Sequence, residues 1–510
     1  MAWLHTWAGL VLGWLMFVIF LFGTASYFQL EISRWMRPEL RGGEVTDMAL
    51  DAAARFLTAR APGAGRWSLS LPSGRGNEAM LVSWEPREGS EGDVGEAPLD
   101  PLTGQVVALR DTRGGEFLYT FHYQLHYMEW WLGRYLVIVA ALAMLVALLS
   151  GIITHKKIFA DFFLLRFGKG QRSWLDAHNV TGVLALPFHL MITYTGLVTL
   201  MFMAMPWAIN ASFPDRDALY GASSPAALNR EASGNTAPSL PFSGLLDRAR
   251  VAGDGFDPGY ITIRNPGDAA AVAEIWPQNS RLVTRGRPIY LDGVTGTPLF
   301  APSSRGAAAA TQDVMIALHA GRFSLPVLRW LYFLSGVGGT LMITTGLVLW
   351  TVKRRAKLPD PARPHFGFRL VERLNIGVIG GAPAGISVYF LANRLLPLHL
   401  GHHADWEVNS LFIAWGALIV WTIARPAKRA WIEALTVCAI LFGMVPVVNA
   451  LTTARGFIPS LIARDWVFAS FDGTMLAMSA ACAFAAWKTA SHKPRSASRG
   501  EARAFVEVAL

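Results

Sequence analysis

Charge is scarce in this chain. Asp, Glu, Lys and Arg make up 16% of 510 residues, against 53% hydrophobic residues, which excludes an ordinary soluble globule. Cysteine is scarcer still. Cys438 and Cys482 are the two present, both inside apolar segments, so a disulfide framework, a zinc finger and a CxxCH haem-attachment site are all excluded. Nucleotide fingerprints are lacking as well. GVIGGAPAG at 377–385 opens an apolar helix with no strand before it, and reads as helix packing. The formal charge of +9 does not point to nucleic acid, because the surplus gathers in particular loops.

What is present is a series of apolar runs long enough to cross a bilayer. Eight occur, near 8–30, 132–154, 180–205, 325–352, 374–395, 407–424, 431–451 and 466–487. The first lacks a basic leader and a small-residue cleavage site, and reads as an uncleaved anchor. Lys156, Lys157, Arg166, Lys169 and Arg172 fill one connection; Lys353, Arg354, Arg355, Lys357, Arg363, Arg369 and Arg373 fill another. The ARPAKR turn and a tail with Lys488, Lys493, Arg495 and Arg499 continue the alternation. These loops share the cytoplasmic side, which places both termini inside and the two long loops outside. Arg34 and Arg37 run against the count, in a large exported loop where the rule is weaker.

The expected order is span 1–30, external module 31–130, span 131–154, basic loop 155–179, span 180–205, external module 206–324, span 325–352, basic loop 353–373, four appended spans in 374–487 and a cytoplasmic tail 488–510. Both external loops carry a helix-like stretch, then short strands, then LDxxTG, in PLDPLTGQVVAL and IYLDGVTGTPLF. Gly104 and Gly296 end those turns and suit a left-handed conformation. The helices repeat too. Gly9 and Gly23 stand +4 and +18 from His5, as Gly182 and Gly196 stand from His178. The second and fourth helices share Leu125–His126 with Leu318–His319, and Ser150–Gly151 with Thr345–Gly346. A unit of helix, α+β module and helix therefore occurs twice. Its glycines let helices approach closely, as in a four-helix bundle.

Ionisable residues inside spans mark function by default. His178 and His189 are 11 residues apart, so on a continuous helix they share a face about 16 Å apart. His5, His155 and His178 fall at the cytoplasmic level, and His122, His126 and His319 at the external level. Neutral imidazoles on facing helices are the usual way to ligate a b-type haem without a local motif. Two levels suggest two haems and an electron route across the membrane. A lone histidine is more often hydrogen-bonded within a bundle. Zinc or copper transport is the chemical competitor, although it prefers carboxylates or thiolates, which the first four helices hardly offer.

LHTWAGL, FHYQLHY, SGIITHKKIFADFF, GKGQRSWLDAHNVTG, LPFHLMITYTGL and LHAGRF, with the two LDxxTG modules, resemble the PepSY-associated transmembrane family over residues 1–355. The resemblance implies an iron-regulated inner-membrane protein of the ferric-siderophore reductase type. It implies b-type haem and release of Fe(II) from a periplasmic ferric siderophore. The expected fold class is thus an all-α polytopic membrane protein of about eight helices, with a duplicated four-helix haem-binding bundle and two small PepSY-like α+β modules. Electrons would come from a quinol or a separate reductase. The alternatives are a PepSY binding or regulatory protein without redox activity, or a metal or siderophore transporter.

The repeat pairs His5 with His178 and His126 with His319 on the haem irons; the competing assignment uses His155 with His178 inside and His122 outside. His189 lies about a third of the way across, with Met16 at its repeat equivalent, and is a further cofactor-binding candidate, as an iron ligand or a hydrogen-bond partner of a cofactor, with a buried packing role as the alternative. LPLHLGHHADWE brings His399, His402, His403, Asp405 and Glu407 into one external turn. Histidines at this spacing can share a metal, although a solvated loop fits as well.

Overall fold

A computed structural model describes residues 2–40, 42–73, 75, 79–87, 89–90, 92–154, 165–215, 218, 230–253, 256–278, 286–300 and 307–492. His155, Lys156, Lys157 and the tail beyond 492 lie outside the described residues. Among the described residues, six helices are long and apolar enough to cross a membrane: Trp130–Thr154, Pro326–Arg355, Phe366–Leu395, His403–Ile423, Ala427–Thr452 and Trp466–Ser491. Two bent pairs, Ala2–Val11 with Gly13–Ser26 and Gln171–Leu184 with Leu186–Thr199, raise the number to eight if each is one span.

The bends measure 65° and 68° and fall at Leu12 and Ala185, each seven residues after the first histidine of its repeat. Each has a local cause. Pro187 lacks the N–H that would continue the helical ladder. Gly13 leaves room for Leu347, whose Cδ2 stands 2.7 Å from where a Cβ would be. The continuous helix expected through His178 and His189 is therefore broken between them, and the expected 16 Å spacing on one face does not hold.

The two α+β modules expected on the outer side are not separate. Their seven strands form one antiparallel sheet in the order β3-β2-β1-β4-β5-β6-β7, where β1 is Arg66–Ser70, β2 Met80–Glu85, β3 Gly95–Leu99, β4 Pro258–Arg264, β5 Val272–Pro277, β6 Ile289–Asp292 and β7 Pro298–Phe300. The halves join where Ser68 pairs with Thr262 across β1 and β4, and their hydroxyls lie 3.3 Å apart. Two like strands meeting antiparallel create a local twofold axis. The helices Asp47–Arg60 and Phe242–Ala252 cover one face, with Leu57, Leu69, Val82, Leu245, Ile261, Ile275 and Leu291 buried between. Alternation along each strand, apolar toward the helices, follows the period of two.

The duplicated LDxxTG is the same turn twice. Asp100 accepts from the Leu102 and Thr103 N–H groups at 2.9 and 2.8 Å, and Asp292 from Val294 and Thr295 at 3.1 and 2.9 Å. Gly104 and Gly296 follow with φ of +70° and +72°, where a side chain is strained.

The appended helices pack into the same core as the first bundle. Trp35, fully buried, stacks on Phe471 at 4.2 Å, beneath the Arg394 guanidinium 4.0 Å from its ring centre. GVIGGAPAG lies at the break between Phe366–Ile379 and Gly381–Leu395, with Gly377 against Ile419 and Gly381 against Trp415. In the HHADWE turn, His402 is exposed while His403 is buried against the Asp111 carbonyl at 2.9 Å.

Candidate cofactor site: four histidines in one kind of socket

Four histidines make the same contact. The Nδ1 of His5 lies 2.9 Å from the Ala147 carbonyl, that of His178 2.8 Å from Met342, that of His122 2.8 Å from Ile19 and that of His319 2.9 Å from Ile192. A carbonyl only accepts, so each Nδ1 carries the proton, and in the neutral ring the lone pair resides on Nε2.

Four residues after each of these carbonyls comes a glycine: Gly151, Gly346, Gly23 and Gly196. A Cβ there would stand 3.3 Å from the His5 ring, 3.1 Å from His178, 2.6 Å from His122 and 2.8 Å from His319. Helical side chains lean back over the preceding turn. A glycine at i+4 therefore uncovers the carbonyl at i for a second hydrogen bond and leaves a slot for a flat ring. The small residues that read as helix-packing positions are imidazole slots.

The sockets respect the repeat. Ile19 and Gly23 are +14 and +18 from His5, and Ile192 and Gly196 are +14 and +18 from His178. Each half closes its own two sockets, and the rings then meet across the halves. The His5 and His178 ring centres lie 6.1 Å apart at 67°, and those of His122 and His319 6.0 Å apart at 24°. The first pair sits toward the basic end, where the Pro326–Arg355 helix finishes on Lys353, Arg354 and Arg355. The second pair sits toward the sheet.

The expected facing of His126 and His319 is corrected: the ring partner of His319 is His122. The helix through FHYQLHY stops at Gln124, because Leu125 and Tyr127 take φ of +62° and +56° before the next helix starts at Trp130. That turn swings His126 against Phe117, Tyr127 and Phe412. The shared LH dipeptide aligns the wrong histidine of the two. His155 lies outside the described residues.

His189 is fully buried between the levels, beside Phe20 and Phe188. Its Nε2 is 3.4 Å from the Ser335 carbonyl, and Gly339 follows four residues later with a Cβ position 3.1 Å away. This is a fifth, looser socket, with the ring reversed and Nδ1 buried without a well-formed hydrogen bond, although the Gly182 backbone acts on the ring. His178 and His189 thus do face one helix. Their sockets there, at Met342 and Ser335, are seven residues apart, or about 10 Å.

A cavity of about 630 Å³ surrounds the sheet-end pair, within the roughly 300–1,000 Å³ usual for ligand sites. Its wall holds His122 and His319 with Met16, Met144 and Ile192, and its lining extends to Ser73, Arg75 and Gln278 on the sheet loops. Burial pushes the His122 pKa down; burial and the neighbouring His122 push that of His319 down to about 4. Both rings are neutral at physiological pH, the form that ligates a metal.

Residues 2–353 match the model of the PepSY-associated TM region. The chain belongs to this family. An uncharacterized protein of Pseudomonas aeruginosa is 28% identical over 310 residues, covering 56% of this chain and 74% of the relative. The family match contains both repeats and all five sockets, and stops before the appended helices of this long PepSY-associated chain.

Proposed function

We propose that the chain is an inner-membrane reductase holding two b-type haems, one between His5 and His178 and one between His122 and His319. It would carry electrons outward to a periplasmic ferric siderophore and release Fe(II). The paired sockets carry this reading. Two metal–imidazole bonds of about 2 Å each, laid end to end, put ring centres roughly 6 Å apart, which is the spacing of both pairs. The glycine slots hold each ring, and the Nδ1–carbonyl bonds leave Nε2 as the nitrogen that would take the metal, the orienting role such bonds play at metal sites.

A bis-imidazole haem iron supplies one-electron redox chemistry, its potential set by ligands and surroundings. The chain's own residues hold two such positions in series. On the Pro326–Arg355 helix the cavity residue Gly336 and the slot Gly346 are ten residues apart, about 15 Å. The cavity lining that extends to the sheet loops would give an acceptor outside the membrane an approach to the nearer pair. The electron donor would be a quinol or a separate reductase, with the termini and basic loops cytoplasmic.

The test is pigment and stoichiometry. Protein purified from haem-replete cells should be red, with a reducible Soret band and close to two acid-acetone-extractable haems per chain. His319→Ala should remove one low-spin signal and leave the other reducible by dithionite. A colourless protein sinks the reading and leaves a PepSY binding or regulatory role.

A further inference from the structure

We propose that Arg134 and Arg322 anchor the carboxylate groups of the cofactor seated between His122 and His319. The inference rests on the ligation reading above, and adds to it the groups that set how the cofactor is turned in its cavity.

Both arginines line the 630 Å³ cavity. Arg134 rises from the first turns of the Trp130–Thr154 span, where a cation without an anion is costly. Its guanidinium bonds the neutral Gln124 amide oxygen at 2.8 and 3.2 Å and lies 4.9 Å from the Trp130 ring centre and 5.3 Å from that of Tyr123. These contacts aim the cation without neutralising it. Among the described residues no carboxylate lies within ion-pair distance of Arg134 or Arg322. Glu116 feels the Arg322 charge but forms no ion pair with it, its oxygens bonding Gln29 and Thr120 at 3.1 and 3.3 Å.

The internal repeat supplies a control for Arg134. The shift that carries Gly151 to Gly346 carries Arg134 to Arg329. Arg329 is buried and ion-paired with Glu31 at 2.7 Å. The shift that carries His5 to His178 carries Glu31 to Ala204. One arginine of the pair therefore has its acid built into the chain. The other has lost it, and it is the one that lines the cavity beside the histidines. A haem brings two propionate carboxylates, and guanidinium groups bind carboxylates bidentately.

The test uses the full-length apoprotein in detergent, titrated with iron protoporphyrin or its dimethyl ester, whose carboxylates are masked. Uptake is followed by the Soret band, and the sheet-end and basic-end low-spin signals are resolved by electron paramagnetic resonance. At the sheet-end site the wild type should bind the free acid on the order of tenfold or more tighter than the ester. Arg134→Gln with Arg322→Gln should bind both forms alike, and Arg134→Lys with Arg322→Lys should restore part of the preference. The signal from His5 and His178 reports that each variant is folded.

A double glutamine variant that still prefers the free acid overturns the proposal. So does an unchanged haem affinity accompanied by a higher KM for a ferric chelate, which would assign the arginines to the acceptor. A wild type that takes up no porphyrin removes the ligation reading and this inference together. A wild type that binds both forms equally removes this inference alone.

Discussion

In the appended helices, Arg394 is buried with its guanidinium on the Asn449 amide oxygen, the Asn393 side chain and the Trp35 carbonyl, while Asp472 accepts from Trp35 and Asn449 at 3.0 Å each. Glu407, also fully buried, takes the Thr112 hydroxyl and the Asn393 amide. In the histidine bundle, by contrast, each socketed imidazole spends one nitrogen on a carbonyl and presents the ring to its twin. The first network is closed on itself and ties Trp35 of the first bundle to the added helices. The second brings imidazole rings together in pairs, with centres 6.1 and 6.0 Å apart. Burial of polar groups does not by itself separate structure from function; what separates them is whether the partners are already inside the chain.

The sharpest way to break this comparison is to fill a slot. Gly23→Leu puts a side chain where a Cβ alone stands 2.6 Å from the His122 ring. Neither neighbour can yield, because the imidazole is fixed by the Ile19 carbonyl. On the two-haem proposal, the expected result is loss of one haem of two, with the His5 and His178 low-spin signal intact. Gly338→Ala is the control, since nothing lies within 4 Å of its Cβ position and alanine suits a helix better. Full haem content in the Gly23 variant would show that the slot does not hold the ring.

A smaller effect is expected in the closed network, and on a different axis. Asp472→Ala strands the Trp35 and Asn449 donors and removes one of the three acids, with Glu39 and Glu407, whose charge acts on the buried Arg394. Breaking such a set costs about 3 kcal/mol. Thermal or denaturant unfolding in detergent should register that loss, while haem content and spectra of the folded protein stay unchanged. A spectral change at wild-type stability would move Asp472 from the structural to the functional side.

The parts legible in the sequence were those set by local chemistry or by repetition. The LDxxTG turns could be read because Asp, Thr and Gly at fixed offsets have one common conformation. The +18 glycines and the small-Gly pairs were visible as a repeat, although their role as slots depends on carbonyls that the sequence does not distinguish. The joined sheet was invisible, since β1 pairing with β4 is a contact between strands nearly two hundred residues apart. His126 misled for a geometric reason. Counting helical spacing through FHYQLHY assumes one continuous helix, whereas Leu125 and Tyr127 turn left-handed between its two histidines. Spacing through Pro187 failed in the same way. A helix count is only as good as the helix.

The least effect, and the finest test of the comparison, belongs to His189. The repeat places Met16 at its equivalent, and Ala140 and Met144 where His189 has Ser335 and Gly339. The half that carries the histidine carries the glycine, whose Cβ position stands 2.5 Å from Phe20 and 3.1 Å from the His189 ring. Yet among the described residues no second ring nitrogen faces it; its ring neighbours are Phe20 and Phe188. Its contact with the Ser335 carbonyl is long at 3.4 Å, and the Gly182 backbone, which also acts on the ring, stands outside good hydrogen-bond geometry to the buried Nδ1. A buried group with one unmade bond costs about 1–3 kcal/mol. His189→Met, which installs the residue of the other repeat, should therefore keep both low-spin signals and leave stability unchanged or higher by about 1 kcal/mol, read by unfolding in detergent. A shift in potential at constant spin state would place His189 beside a cofactor as a tuning group. Loss of either low-spin signal would make it an axial ligand, and would reopen the pairing of the other four.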